Sequence, residues 1–351
     1  MGVEQMSPYE RVAWQDIERW RNERLAVNER RLVPQGVRDR LAKGGQVAKG
    51  RLEQVPGAEQ LTAIVHNSID GLLTLVNKAS EATLRRKAVV AAYAKRGHVV
   101  GELSDIHRLD LGDIDKAKPR LGLSYTAVSA VEGAGAGLAV SGGELLTTAG
   151  GIFGAGAGAA PGAGTVAAAI AVDTVFVLGA MTRAIAHTAA YYGYDTELPQ
   201  ERVFALGVLS FGMAQQTGKS VAYVQLNKLV NDLARRATWD QLNRNGVTRI
   251  VRTFYERTAT QLTKKKLGQV VPVLGVAIGA GLNAKLLHNL TDDAEHLYRE
   301  RFLREKHHLE TVDVTVTRGA DVDLGDDTVH IAEIVEEATA DEPHTDGLND
   351  G

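Results

Sequence analysis

The chain has 351 residues, a formal net charge of −3 and no cysteine, which excludes a disulfide framework, a thiolate metal site and a cysteine nucleophile. Hydrophobic residues make up 44% of it and aromatics only 5%, enough for one large domain or two small ones. Residues 320–351 hold eleven acidic residues and no Lys or Arg, leaving 40 basic and 32 acidic residues, a net +8, over residues 1–319. A basic body favours anionic lipid or nucleic acid, but here the two signs interleave, as on an ordinary solvated surface.

Residues 1–31 are dense in charge and hold no apolar core of the signal-peptide kind, so Sec-type export is not expected and a cytoplasmic location is. Ser7, Pro8 and Glu10 make a capping box with proline at the first helical position. They predict a helix over 7–31, with Val12, Ile17, Trp20 and Leu25 on its apolar side and Pro34 and Gly36 at its end. A second helix is expected over 35–54. Apolar residues from Leu61 to Val90 recur at helical spacing and predict two helices over 58–96, meeting near 77–82. Residues 97–123, with Gly97, Gly101, Gly112 and Pro119, read as a connecting stretch of short helices.

The composition changes next. Twelve glycines lie between Gly133 and Gly164, and the 28 residues from Leu145 to Val172 carry no charge. About 20 apolar residues cross a bilayer, yet this segment is weakly hydrophobic and Pro161 interrupts it. Gly and Ala permit close helix approach in membranes and in tight soluble bundles. Two readings therefore stand open, a buried soluble hairpin and a membrane-inserting or membrane-resting one, with Gly154, Gly156, Gly158 and Pro161 as packing residues.

Helices are expected over 165–192, 199–217, 219–237 and 238–263. A second charge-free run, Leu267–Ala284, contains Pro272 and the spacing Gly275-x-x-x-Gly279, which puts two glycines on one helix face. Lys264, Lys265 and Lys266 before it suit an anionic membrane surface or a solvated helix end. A long charged helix over 283–309 follows. Beyond Thr311, Val312, Val314 and Val316 alternate with polar residues, a short strand signal. The rest is acidic and poor in large apolar residues, so disorder or a marginal hairpin is expected. The architecture expected is mainly α: a multi-helix domain over 1–310 with a Gly/Ala-rich central hairpin, then a flexible acidic tail over 311–351.

Little of the sequence reads as catalytic machinery. His288, Asp292 and His296 share one helix face, an arrangement that suits a divalent metal. At 1.5 Å per residue, however, the two histidines lie about 12 Å apart and cannot share an ion. A polar helix face is the plainer reading, and no metal or cofactor is expected. Asp173 is a lone carboxylate in an apolar run, with Arg183 ten residues on. A buried charge is costly unless paired, so a helix-locking ion pair stands beside a ligand-, ion- or proton-handling acid. Gly154–Gly158 lacks the Lys-Ser/Thr of a P-loop, no G-x-S-x-G occurs, and no nucleic-acid signature accompanies the basic clusters.

Several blocks carry a resemblance. Pro161-Gly162 leads to Asp173, then to Arg183-Ala184-Ile185-Ala186, Tyr192-Gly193-Tyr194-Asp195, Glu201-Arg202 and Leu206-Gly207-Val208-Leu209. Val271-Pro272-Val273-Leu274-Gly275, Gly279-Ala280-Gly281-Leu282-Asn283-Ala284 and Tyr298-Arg299-Glu300-Arg301-Phe302-Leu303 follow. With the opening helix around Tyr9, Glu10 and Trp20, these blocks resemble the EcsC protein family over residues 8–305.

The resemblance implies a bacterial helical accessory protein, associated with protein secretion and named from a protein encoded beside an ABC exporter. It supplies no catalytic residues. It marks Asp173, Arg183, Tyr192, Gly193, Asp195 and Asn283 as the place to look for a ligand site. The same residue types also suit helix packing and turns: Gly193 with Asp195 can close a helix, and Asn283 can bond an exposed carbonyl. The expected function is a non-enzymatic, membrane-associated role in a transporter, secretion or cell-envelope process. Membrane lipid or an ABC transporter component is the expected partner, at the inner face of the cell membrane. The alternative is a soluble small-molecule or lipid-binding protein, or an enzyme, with a buried polar site around Asp173.

Overall fold

The Glu10 N–H donates to the Ser7 hydroxyl at 3.2 Å and the Ser7 N–H donates to the Glu10 carboxylate at 3.1 Å. This reciprocal pair satisfies two backbone donors and starts helix α1, Pro8–Leu25. The structure, a computed structural model, describes residues 3–26, 69, 73, 79–119, 163–214, 218–235, 244–269, 275–309, 329 and 331–340. After α1 come α2 (Ala79–Ala94), a 3-10 helix (Leu103–Arg108) and α3 (Leu111–Ala117). Asp110 caps α3 by accepting the Gly112 N–H at 2.8 Å. The chain continues through α4 (Ala163–Tyr191), α5 (Pro199–Met213), α6 (Lys219–Arg235), α7 (Arg244–Gln269), α8 (Gly275–His307) and α9 (Ile331–Ala340). No strand occurs among the described residues. The segments holding Gly154, Gly156, Gly158, Pro161, Pro272 and the strand signal at 312–317 lie outside those residues.

The expected helices that fall within the described residues are present, with one residue of α1 on the other side and one addition. The helix expected over 35–54 and most of the first of the pair over 58–96 lie outside those residues. On α1 the buried side holds Glu10, Ala13, Trp14, Ile17 and Arg21, whereas Val12 is 66% exposed. Ile17 of the expected apolar side is buried and Trp20 and Leu25 pack against the core; only Val12 is misplaced, because two of the five buried residues are charged. In the acidic tail, α9 buries Ile331, Ile334 and Ala338, spaced i, i+3, i+7 along one helix side.

Helix α8 lies at the centre, packed on α4, α5 and α1. Glycines on α5 permit close approach. A side chain at Gly207 would meet Leu226 of α6 at 2.7 Å, and one at Gly212 would run into Leu290 of α8. No helix among the described residues is long and apolar enough to cross a membrane.

The last four turns of α8 carry charges that face inward. Asp293 is fully buried and accepts from Lys219 at 2.8 Å and Arg24 at 2.7 Å. The Lys219 ammonium also donates to the Phe211 carbonyl and lies over the Phe211 ring; burial pushes its pKa below the ordinary lysine value, against the opposing pull of Asp293. Two turns further on, Glu300 receives Arg21 at 2.8 Å and the Tyr223 hydroxyl at 2.6 Å. Burial beside Glu300 raises the Tyr223 phenol to about 12.

At the end of α8, Lys306 and His307 reach Glu10 at 2.7 and 3.0 Å. Burial alone would raise the Glu10 carboxyl. Hydrogen bonds from Lys306 and from the Ser7 and Leu111 N–H groups outweigh it and hold the pKa below the usual glutamate value. The sign follows: Glu10 stabilises the fold above the ordinary carboxyl range, and that contribution is lost as pH falls through its lowered folded value. Glu10→Gln leaves the half-buried Lys306 ammonium without its anion and weakens the contact to His307. Denaturant titration should show a loss of roughly 3–5 kcal/mol at neutral pH, and a gap from wild type that narrows in acid.

Candidate functional site

Helix α4 ends at Tyr191, and the turn that ends it builds one wall of a cleft. The Gly193 N–H donates to Ala190 and the Tyr194 N–H to Ala189, at 3.1 and 2.9 Å. Gly193 sits at φ +90°, so this is a Schellman stop with glycine in the left-handed position. Any Cβ there would lie 2.7 Å from the His107 ring and 2.9 Å from the Leu103 carbonyl. The glycine thus lets the 3-10 helix press directly on the turn. Asp195 then accepts the Glu197 N–H at 3.1 Å, turning the chain into α5, where Pro199 opens the helix.

The cleft has a volume near 630 Å³ and lies between α2, the 3-10 helix, this turn and the end of α8. Its apolar lining includes Val90, Leu103 and Leu198. Arg86 and Lys87 of α2 enter from one side, and Arg86 pairs with Asp195 at 2.8 Å. On the inner side Arg301 of α8 makes two hydrogen bonds to Glu201, at 2.7 and 2.8 Å, and a third to Glu305 at 2.7 Å. Its guanidinium also lies 4.1 Å from the Tyr194 ring centre and 4.4 Å from that of Phe204, a desolvated cation–π sandwich. The Tyr194 hydroxyl donates to Glu305 at 2.9 Å. Burial pushes the Tyr194 phenol well above its ordinary value.

His107 also lines the cleft. Burial lowers its pKa, with Glu305 pulling the other way, which favours the neutral ring at pH 7. Its Nε2 is enclosed and has no hydrogen-bond partner among the described residues. Ser104 donates its hydroxyl to Glu102 at 2.6 Å. The cleft therefore offers paired charges of both signs beside an apolar wall, a recognition surface rather than an assembled nucleophile and base.

The residues singled out from sequence divide unevenly. Gly193 and Asp195 line the cleft. Tyr192 is fully buried behind it, where it accepts from Lys118 at 3.1 Å. Arg183 lies on α4 outside the cleft lining, and Asp173 falls on α4 and Asn283 on α8. Gly275 and Gly279 fall in the first turns of α8. His288 and Asp292 are exposed, while His296 stacks on Trp20 at 4.7 Å. No group of three His, Cys, Asp or Glu side chains among the described residues is placed to hold a metal ion. Sequence reasoning missed Arg86, His107, Glu201, Arg301 and Glu305. The available signal was Arg301 with Glu305 four residues on, beside Tyr298 and Phe302.

Fold and site together define a mainly helical domain with buried ion pairs and a charged cleft at one helix end. Residues 147–303 match the EcsC protein family, and over that part the chain is similar to it. The uncharacterized protein YdbA of Bacillus subtilis (strain 168) is 24% identical over 240 residues, 68% of this chain and 76% of its own. Protein EcsC of the same organism is 24% identical over 219 residues, 62% of this chain and 76% of its own. No solved structure matches the chain.

Gly193→Ala forces a side chain into the left-handed region and against His107 and Leu103. Such strain costs on the order of 1–3 kcal/mol, measurable by chemical denaturation. Adding His107→Ala should recover only part of the loss, because the φ angle and the Leu103 carbonyl remain.

Proposed function

We propose that this EcsC-like chain has a non-enzymatic accessory role, exercised by binding a small dipolar molecule in the cleft beside Gly193. The observation that carries the reading is the 630 Å³ cleft in which Arg86, Lys87 and Arg301 face Asp195, Glu201 and Glu305 around Val90, Leu103 and Leu198. Ligand sites are commonly about 300–1,000 Å³, apolar, with a few placed polar groups. Charges of both signs beside an apolar wall suit a zwitterion with an apolar part, such as an amino acid or a dipeptide. The cleft lies at the C-terminal end of α4, the helix that also carries Asp173.

Leucine 198 is 46% exposed at the cleft rim, so Leu198→Trp fills the cleft without touching its ion pairs. A panel of amino acids and dipeptides should contain at least one that raises the wild-type melting temperature. A hundredfold excess over Kd stabilises by about 2.7 kcal/mol. Leu198→Trp should abolish the rise, and no rise with any member of the panel overturns the reading.

A second reading is membrane association at the inner face of the cell membrane, beside a transporter or secretion component. The charge-free runs Leu145–Val172 and Leu267–Ala284 support it. Protein at native level that resists both salt and carbonate washes of the membrane pellet would bear this out. Wholly soluble protein would remove it.

A further inference from the structure

A second surface, remote in kind from the cleft, is already occupied. Helix α9 packs on α7, α5 and α6. Its anchors Ile331, Ile334 and Ala338 are buried to 1%, 2% and 4% exposure. The preceding Val329 is buried as well, and its carbonyl accepts the Ser210 hydroxyl of α5 at 2.8 Å. Gly207 leaves the floor open beneath the helix: a side chain there would meet Leu226, Leu229 and Ile331. The geometry is that of a short amphipathic helix laid in a groove and read by anchors one and two turns apart.

Three observations make this helix a removable occupant. It has ten residues, below the roughly 12–15 at which a helix holds together alone, so its order depends on the groove. The ion pair Glu337–Arg257 that ties it to α7 is 2.8 Å long with both partners exposed, the kind worth little. Arg249 adds a long contact, 3.5 Å, to the Ala338 carbonyl. The groove helices α5, α6 and α7 all fall within residues 147–303, the part similar to the EcsC family, whereas α9 lies beyond it. That part thus supplies the groove, and the acidic tail supplies what fills it.

We propose that the α5–α6–α7 groove is an exchangeable docking site for an acidic amphipathic helix. The chain's own tail fills it in cis, and a partner protein's helix with the same anchor spacing and negative flank displaces it. Charge sets the preference: the exposed Glu333 and Glu337 of the resident helix accompany a groove edge that carries Arg249 and Arg257.

The test uses the full chain and a labelled peptide of residues 328–341, followed by fluorescence anisotropy. In wild type the resident helix competes. In Ile334→Glu its anchor is broken, and the peptide should bind at least tenfold more tightly than to wild type. A peptide carrying the same Ile334→Glu change should bind neither chain. Adding Gly207→Leu to the opened chain should abolish peptide binding by filling the floor. If Ile334→Glu loses its cooperative melt, the milder anchor truncation Ile334→Ala makes the same comparison. Equal peptide affinity for wild type and for the folded variant, or equal binding of the anchor-broken peptide, overturns the proposal.

Discussion

A helix that buries both acids and bases must find a partner for each of them, and α8 has this requirement along half its length. Asp293, Glu300, Arg301, Arg304 and His307 are all under 8% exposed. Removing charges from water costs several kcal/mol per ion, and only close, well-directed partners offset it. Each charge therefore dictates where another element goes. Asp293 draws in the ends of α1 and α6 through Arg24 and Lys219. Glu300 draws in α1 and α6 again through Arg21 and Tyr223, Arg301 draws in α5 through Glu201, and His307 with Lys306 brings back the start of α1. Apolar packing holds these helices together; the charges set their register.

The same constraint shapes the cleft. Arg301 is both a helix-locking residue and part of the cleft lining, because its guanidinium edge serves Glu201 and Glu305 while its faces lie against Tyr194 and Phe204. Tyr194 is held there by the left-handed turn at Gly193, which also admits His107. A ligand entering the cleft would thus meet side chains fixed by the fold. Preorganisation of this kind reduces the ordering cost of binding.

Much of the fold was legible in the sequence, and the reason is local. The capping box at Ser7 and Glu10, Pro199 at the start of α5 and the glycine stop at Gly193 are signals spanning a few residues, and each lies where the chain turns into or out of a helix. Gly193 and Asp195 stood out as candidates for closing a helix, and that is their geometry. What the sequence hides is which charges face inward. Arg299, Glu300 and Arg301 are consecutive and look like a solvated stretch, yet Glu300 and Arg301 are buried by partners 77 to 279 positions away. Helical spacing cannot announce such pairings, because the partner is set by packing. Val12 was assigned to the wrong side of α1 for the same reason: Glu10 and Arg21 occupy the buried face. The tail helix was veiled by its acidic residues, although Ile331, Ile334 and Ala338 carry the spacing of a buried stripe.

The most direct measurement is a double-mutant cycle on Arg301 and Glu201, read by denaturant unfolding of Arg301→Met, Glu201→Leu and the pair. If buried charges on α8 set the register, each single change strands a charge and costs roughly 3–5 kcal/mol. The double variant should then cost less than the sum of the two singles, with coupling of roughly 0.5–3 kcal/mol. Single costs within about 0.5 kcal/mol, as for surface substitutions, together with no coupling, would contradict the account.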